Sequence, residues 1–312
     1  MPALVSLRAL QGRFAAYSIE RARDDPARSA NLFATERQVA AGTFAQSKDG
    51  TRIHYEIRGQ GAPLALIFGY AGSSRGWGEP FLKLLEARFK TIVIDNRGTG
   101  QSDKPEKPFS MADMAADAAS VLDQANIDRA HVMGISMGGM IAQEFALNHP
   151  ARLRGLVLGC TMCGLAHSVP GDPETLAALQ LNPSEPLAAQ VERLLAACCA
   201  KPFLASAKGQ AVLRERVAEV MNYAITPPRT YQLHWGAVAG FDTFDRLPQI
   251  KAPTLLITGT SDLLVPDANS DIIKGRIPGA QIHKLPGAGH VFFWEAPEES
   301  AAAVTKFLSP IN

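Results

Sequence analysis

Short apolar runs recur along this chain at the spacing of strand–helix–strand units, and that rhythm restricts the fold more than any other feature. "PLALIFG", "KTIVIDNRG", "AHVMGIS" and "LRGLVLG" each read as a buried strand. Amphipathic stretches separate them: "WGEPFLKLLEARF", in which Phe81, Leu84, Leu85 and Phe89 recur at helical spacing, then "MADMAADAASVLDQANI", then "MGGMIAQEFALNHP", stopped by Pro150. Strands that are apolar on both sides belong inside a sheet covered on both faces, and parallel strands need helical crossovers. The order therefore predicts an α/β fold, a mostly parallel sheet with helices on both faces. Upstream, "TRIHYEIRG" alternates and predicts a strand with Ile53, Tyr55 and Ile57 on one face. Ser110 stands where a helix N-cap belongs, with Asp113 three residues on as in a capping box.

The rhythm breaks from about residue 164 to 246, where leucines and valines fall at helical spacing, prolines punctuate them and no strand pattern appears. Strands resume at "APTLLITG" and "AQIHKLPG", and "PEESAAAVTKFL" closes as a helix. This predicts one α/β core, residues 43–163 and 247–312, interrupted by a helical cap, 164–246, over the carboxyl edge of the sheet. Residues 1–42 read as a partly helical extension. In it Leu4, Leu7, Leu10, Phe14 and Tyr17 form one apolar stripe, suited to packing on the body of the protein or on a second subunit as in a homo-oligomer. A membrane-surface anchor is the alternative for that stripe. Arg8 and Arg13 interrupt any signal-peptide core.

Composition narrows the partners. The chain has 312 residues, 46% hydrophobic and 20% charged, with a formal net charge of +1, so no global field would attract nucleic acid or an anionic membrane. No run approaches the roughly 18 apolar residues that a membrane span needs. Cys160 and Cys163 form a C-x-x-C, but the adjacent Cys198 and Cys199 are not a matching second pair for zinc. All four cysteines read as reduced core or cap residues, which suits a cytoplasmic setting. No metal cluster or dinucleotide fingerprint is visible, and no cofactor is expected.

Between the third predicted strand and its helix lies Gly134-Ile135-Ser136-Met137-Gly138, a G-x-S-x-G. In that context it describes a nucleophile elbow, a turn so sharp that its flanking positions must be tiny. The serine projects over the sheet edge, at a helix N-terminus whose free N–H groups favour developing negative charge. A serine hydroxyl needs a base. Of the seven histidines, His54, His131 and His283 belong to strands, His149 ends a helix, and His167 and His234 fall in the helical insertion. His290, in "LPGAGHVFFWEAP", follows the last strand among glycines and is the expected base. Asp262, in "TGTSDLLVP", leaves the penultimate strand at the same edge and is the expected acid. Asp242 and Asp245 are rivals, but they precede that strand. The order Ser136, Asp262, His290 is the one expected on this fold. The oxyanion donors are assigned to the backbone N–H groups of Met137 and of Tyr70, the latter in the glycine-bearing loop "GYAGSS". The Tyr70 side chain is read either as bordering an acyl pocket or as a packed aromatic.

Together "IFGYAGSSRGW", "IDNRGTGQSDKP", "GISMGGMIAQEFALNHP", "PTLLITGTSDLLVP" and "LPGAGHVFFWEAP" resemble the α/β-hydrolase superfamily with a helical cap. The resemblance runs from Pro63 to Pro297 and implies the same roles for Ser136, His290, Asp262, Tyr70 and Met137. It implies a serine hydrolase acting on a carboxylic ester or lactone, with a hydrophobic small-molecule substrate under the cap. It leaves open C–C bond hydrolysis, cofactor-free haloperoxidase chemistry on the same triad, and a ligand-binding receptor with little turnover. Related dehalogenases and epoxide hydrolases carry aspartate at the elbow, where this chain has Ser136. Many members have His-Gly before the oxyanion residue, and that histidine often holds the loop by hydrogen bonding; this chain has Phe68-Gly69. The loop containing Asp95, Arg97 and Ser102 resembles a scaffold that braces the elbow.

Overall fold

The computed structural model describes residues 43–182 and 184–311. The expected extension 1–42, with its apolar stripe, lies outside them.

Eight strands form one sheet: β1 (Thr43–Gln46), β2 (Arg52–Arg58), β3 (Ala62–Ile67), β4 (Phe89–Ile94), β5 (Ala130–Ile135), β6 (Leu153–Gly159), β7 (Thr254–Gly259) and β8 (Gln281–Leu285), in the order β1-β2-β4-β3-β5-β6-β7-β8. The β1–β2 and β2–β4 pairs are antiparallel, and the remaining pairs are parallel. Helices α1 (Glu79–Glu86), α2 (Met111–Gln124) and α3 (Met137–Asn148) cross between the first parallel strands. Five helices separate β6 from β7: α4 (Pro173–Ala178), α5 (Leu187–Ala197), α6 (Lys201–Leu204), α7 (Ala207–Asn222) and α8 (Pro228–Ala239). Then follow α9 (Ala268–Arg276), α10 (Phe292–Glu295) and α11 (Pro297–Leu308).

The period of two along the central strands decides the core. Leu64 and Leu66 face one side of the sheet and pack with Trp77, Phe81 and Leu85 and, from α11, Val304 and Leu308. Ala65 and Ile67 face the other side and pack with Met114, Ala118 and Val121 of α2 and Met140, Ile141 and Phe145 of α3. Each fully buried leucine, isoleucine or phenylalanine contributes about 2 kcal/mol, so the two layers together hold the sheet between its helices. The Ser110 capping box is present in full: its hydroxyl accepts from the Asp113 N–H, and the Asp113 carboxylate accepts from the Ser110 N–H.

Three details differ from the sequence reading. Phe89 opens β4 instead of closing α1, because its ring is needed in the core beside Leu85. The short edge strand β1 carries too little periodicity to be read in advance. Ile57 is exposed although it alternates with buried Ile53 and Tyr55; it lies past Tyr55, where the pairing of β2 with β1 ends.

β3 lies between β4 and β5, so the chain leaves β3 for one side of the sheet and later returns on the other. Loops diverge at such a switch point and leave a crevice outside the carboxyl ends of the strands. Among the described residues no helix is long and apolar enough to cross a membrane.

Candidate active site

Six loops leave the carboxyl edge of the parallel strands, and each brings at least one residue of interest. Ser136 follows β5 as the N-cap of α3, with φ 53° and ψ −125°. A non-glycine residue in this region is held there against a strain of about 1–3 kcal/mol. The glycines around it make the turn possible. A Cβ on Gly134 would overlap the Gly138 carbonyl, and one on Gly138 would overlap the Ile67 carbonyl. The strain places the hydroxyl above the sheet edge, where it makes no hydrogen bond with any described residue.

The loop after β3 runs directly beside it. A Cβ on Gly69 would sit 3.1 Å from Ser136 Cβ, so any side chain there would crowd the serine. The next N–H, that of Tyr70, donates to no described group, and neither does the N–H of Met137 in the first turn of α3. The Tyr70 side chain is a packed aromatic: its ring stands edge-on to Tyr231 at 5.7 Å, and its hydroxyl donates to the Tyr231 carbonyl at 2.8 Å. Phe68 packs edge-on to Trp77 at 5.5 Å and to Phe293 at 6.1 Å.

After β7 comes Asp262, and after β8 comes His290; the structure brings them together. His290 Nδ1 lies 2.7 Å from Asp262 Oδ2, and both side chains are almost fully buried. The other carboxylate oxygen accepts the N–H groups of Leu264 at 2.8 Å and Val265 at 2.9 Å, which fixes the plane of the carboxylate. An ionised carboxylate only accepts, so Nδ1 carries the hydrogen and the Nε2 lone pair is left to take a proton. Burial alone would push the imidazole pKa down, but the adjoining Asp262 charge and hydrogen bond outweigh it and hold His290 well above its usual value. No hydrogen bond joins His290 to the Ser136 hydroxyl among the described residues.

Two participants in this region were not singled out from the sequence. Cys160, just after β6, has a positive φ of 36°, and its thiol donates to the His290 carbonyl at 3.2 Å. Its sulfur lies within 4.8 Å of ligand atoms of His290 and Asp262. These three could face a soft cation, but the 2.7 Å His290–Asp262 hydrogen bond is tighter than two ligands of one zinc ion would sit. Burial raises the Cys160 pKa and keeps the thiol protonated. Glu295 is the second. Its carboxylate accepts the N–H of Gly289 at 3.1 Å and that of Ala200 at 2.9 Å, tying the His290 loop to the start of α6. Only its place five residues after His290 could have pointed to it. The rival acids go elsewhere: Asp242 lies 3.5 Å from His167, and Asp245 lies 3.4 Å from Arg276.

The loop after β4 is a polar hub. Asp95 accepts from His54 Nδ1 at 2.9 Å, the Ser74 N–H at 2.7 Å, the Gln101 N–H at 2.9 Å and the Tyr223 hydroxyl at 2.9 Å. Burial disfavours its charge, yet these donors hold its pKa at about 2. Arg97 pairs with Asp117 through two nitrogens, at 2.6 and 2.7 Å.

A family model described as alpha/beta hydrolase fold matches residues 62–297. The chain is 32% identical over 248 residues to a protein of Azorhizobium caulinodans named carbamate hydrolase RutD, covering 79% of this chain and 91% of that one. It is 30% identical over 270 residues to a 2-hydroxy-6-oxononadienedioate/2-hydroxy-6-oxononatrienedioate hydrolase of Burkholderia vietnamiensis, covering 84% and 93%. The crystal structure of the esterase RhEst1 from Rhodococcus sp. ECU1013 superposes with a TM-score of 0.74 at 26% identity, over 87% of this chain and 99% of that one.

Proposed function

We infer that this chain, which belongs to the alpha/beta hydrolase fold family, is a serine hydrolase that cleaves a carboxylic ester or lactone through an acyl-enzyme. The observation that carries the reading is the buried His290–Asp262 pair at the same sheet edge as a strained, hydrogen-bond-free Ser136 hydroxyl. In this reading Ser136 Oγ attacks the substrate carbonyl and His290 Nε2 takes its proton. The negative charge that forms on the carbonyl oxygen is met by the N–H groups of Tyr70 and Met137. The C–O bond breaks, and the leaving alcohol takes the proton back from His290. Water then attacks the acyl-Ser136 carbonyl, again giving a proton to His290, and the acid leaves as Ser136 recovers its hydrogen. Asp262 holds the imidazole in the useful tautomer and stabilises its cation. Such hydroxyl–imidazole contacts commonly close only when substrate is bound, so the open geometry of Ser136 suits the resting enzyme. Each oxyanion donor is worth about 10²–10³ in kcat.

The core is then residues 43–163 and 247–312, with 164–246 as the cap. The Tyr70 hydroxyl donates to the Tyr231 carbonyl, the Thr226 hydroxyl to the Ala71 carbonyl and the Ala200 N–H to Glu295, so residues of the proposed cap meet the loops beside Ser136 and His290. The test is hydrolysis of p-nitrophenyl butyrate by the wild type and by Ser136→Ala. Turnover in the wild type and a loss of at least about 10⁴-fold in the variant is expected. Turnover equal in the two would sink the reading. A C–C hydrolase is the second reading, favoured by the name of the B. vietnamiensis relative. It predicts Ser136-dependent cleavage of a vinylogous 1,5-diketone much faster than of any ester.

A further inference from the structure

His234 stands outside the chemistry above, yet its imidazole joins two loops at the site. It sits in α8 and is completely buried. Nδ1 lies 3.1 Å from the Ala71 N–H and Nε2 lies 2.9 Å from the Arg97 carbonyl oxygen. A carbonyl only accepts, so Nε2 must carry the hydrogen, and the Nδ1 lone pair is then free to accept from Ala71. A single neutral tautomer satisfies both partners. Burial keeps the ring neutral, with its pKa lowered to about 4. Phe109 stands edge-on to it at 5.7 Å and Tyr70 at 6.1 Å, so the ring has little room to turn.

The two anchors are unequal. Arg97 is fixed through its guanidinium by Asp117 and Asp49. Ala71 is a non-glycine residue with φ 51°, a conformation that relaxes unless held. Its N–H is held by His234 and its carbonyl accepts from the Thr226 hydroxyl at 2.8 Å. Ala71 directly follows Tyr70, so fixing the peptide between them limits how the Tyr70 N–H can turn. We propose that His234 is a positioning residue for the oxyanion loop: by bonding the Ala71 N–H and the Arg97 carbonyl, it keeps the Tyr70 N–H directed at the substrate oxygen.

This rests on the hydrolase reading, and the experiment separates the two. Wild type, Ser136→Ala, His234→Phe, His234→Asn and His234→Gln are compared for kcat and KM on p-nitrophenyl butyrate, with thermal melting as a check on folding. Phenylalanine keeps the ring and loses both bonds. Asparagine offers an acceptor where Nδ1 stood, and glutamine reaches the position of Nε2 without serving Ala71. His234→Phe should lower kcat at least about tenfold with KM within about threefold, and His234→Asn should recover most of the loss while His234→Gln does not. A simple rivet between cap and core would lower melting temperature equally in all three and show no such ranking. Ser136-dependent turnover that is unchanged in His234→Phe, or restored as well by Gln as by Asn, overturns this proposal alone. Turnover that survives Ser136→Ala overturns the hydrolase reading and this proposal with it.

Discussion

Asp262 and His290 are 28 residues apart in sequence, on loops from different strands, and their side chains meet at 2.7 Å in a nearly dry setting. Two backbone N–H groups hold the far oxygen of Asp262, and three contacts hold the His290 backbone: Cys160 on its carbonyl, Glu295 on the N–H before it and the Cys198 carbonyl on the N–H after it. The pair is thus fixed from both ends before any substrate arrives, which is the condition for electrostatic preorganisation.

The first consequence concerns pH. In the proposed reading His290 is the base; a base must be neutral to take a proton, and Asp262 holds this imidazole well above its ordinary value of about 6.5. The rate kcat/KM for ester hydrolysis should therefore rise with pH and reach half its plateau above pH 6.5. Asp262→Asn removes the charge, so the limb should move to lower pH while the plateau falls by about 10⁴. A pH–rate profile of both proteins is the check; a limb that stays in place would mean that Asp262 does not set it.

Acid stability should depend on Asp95. Its folded pKa of about 2 lies below the ordinary 3.8. The folded state therefore binds this proton more weakly than the unfolded chain. Its contribution is present above pH 3.8 and disappears as pH falls through about 2. By linkage that contribution is about 2 kcal/mol. Asp95→Asn should lose at least that much in urea unfolding at pH 7 and much less at pH 2.5. An equal loss at both values would show that the carboxylate charge is not what stabilises the hub.

Glu295 should matter to both stability and rate. Replacing it by alanine leaves the N–H groups of Gly289 and Ala200 without their acceptor. An unsatisfied buried donor costs about 1–3 kcal/mol. Glutamine keeps one acceptor oxygen but turns an NH₂ toward the other N–H, so it should not restore the wild type. The expected result is a lower melting temperature and a lower kcat in both variants. A kcat unchanged in both would separate this carboxylate from the His290 loop.

What the sequence alone determined is what a local pattern can carry. The period of two in Leu64, Ala65, Leu66 and Ile67 divides them between two faces of a sheet whatever else the chain does. The spacing of Gly134 and Gly138 around Ser136 is legible because backbone overlap within a few residues permits nothing larger. Ser110 and Asp113 cap their own helix. The sequence could also rank histidines and acids by the loops they occupy, which put Asp262 and His290 forward.

Tertiary structure alone decided the contacts between loops. Nothing near His234 in the chain marks it as the partner of Ala71, 163 residues away, and nothing near Cys160 marks it as a neighbour of His290. His54 reads as one more strand residue until the sheet order sets it against Asp95. The reason is physical. Periodicity and turn sterics act over a few residues and leave their signature in composition, whereas a hydrogen bond between distant loops depends on strand order, loop path and burial, which exist only once the core has packed.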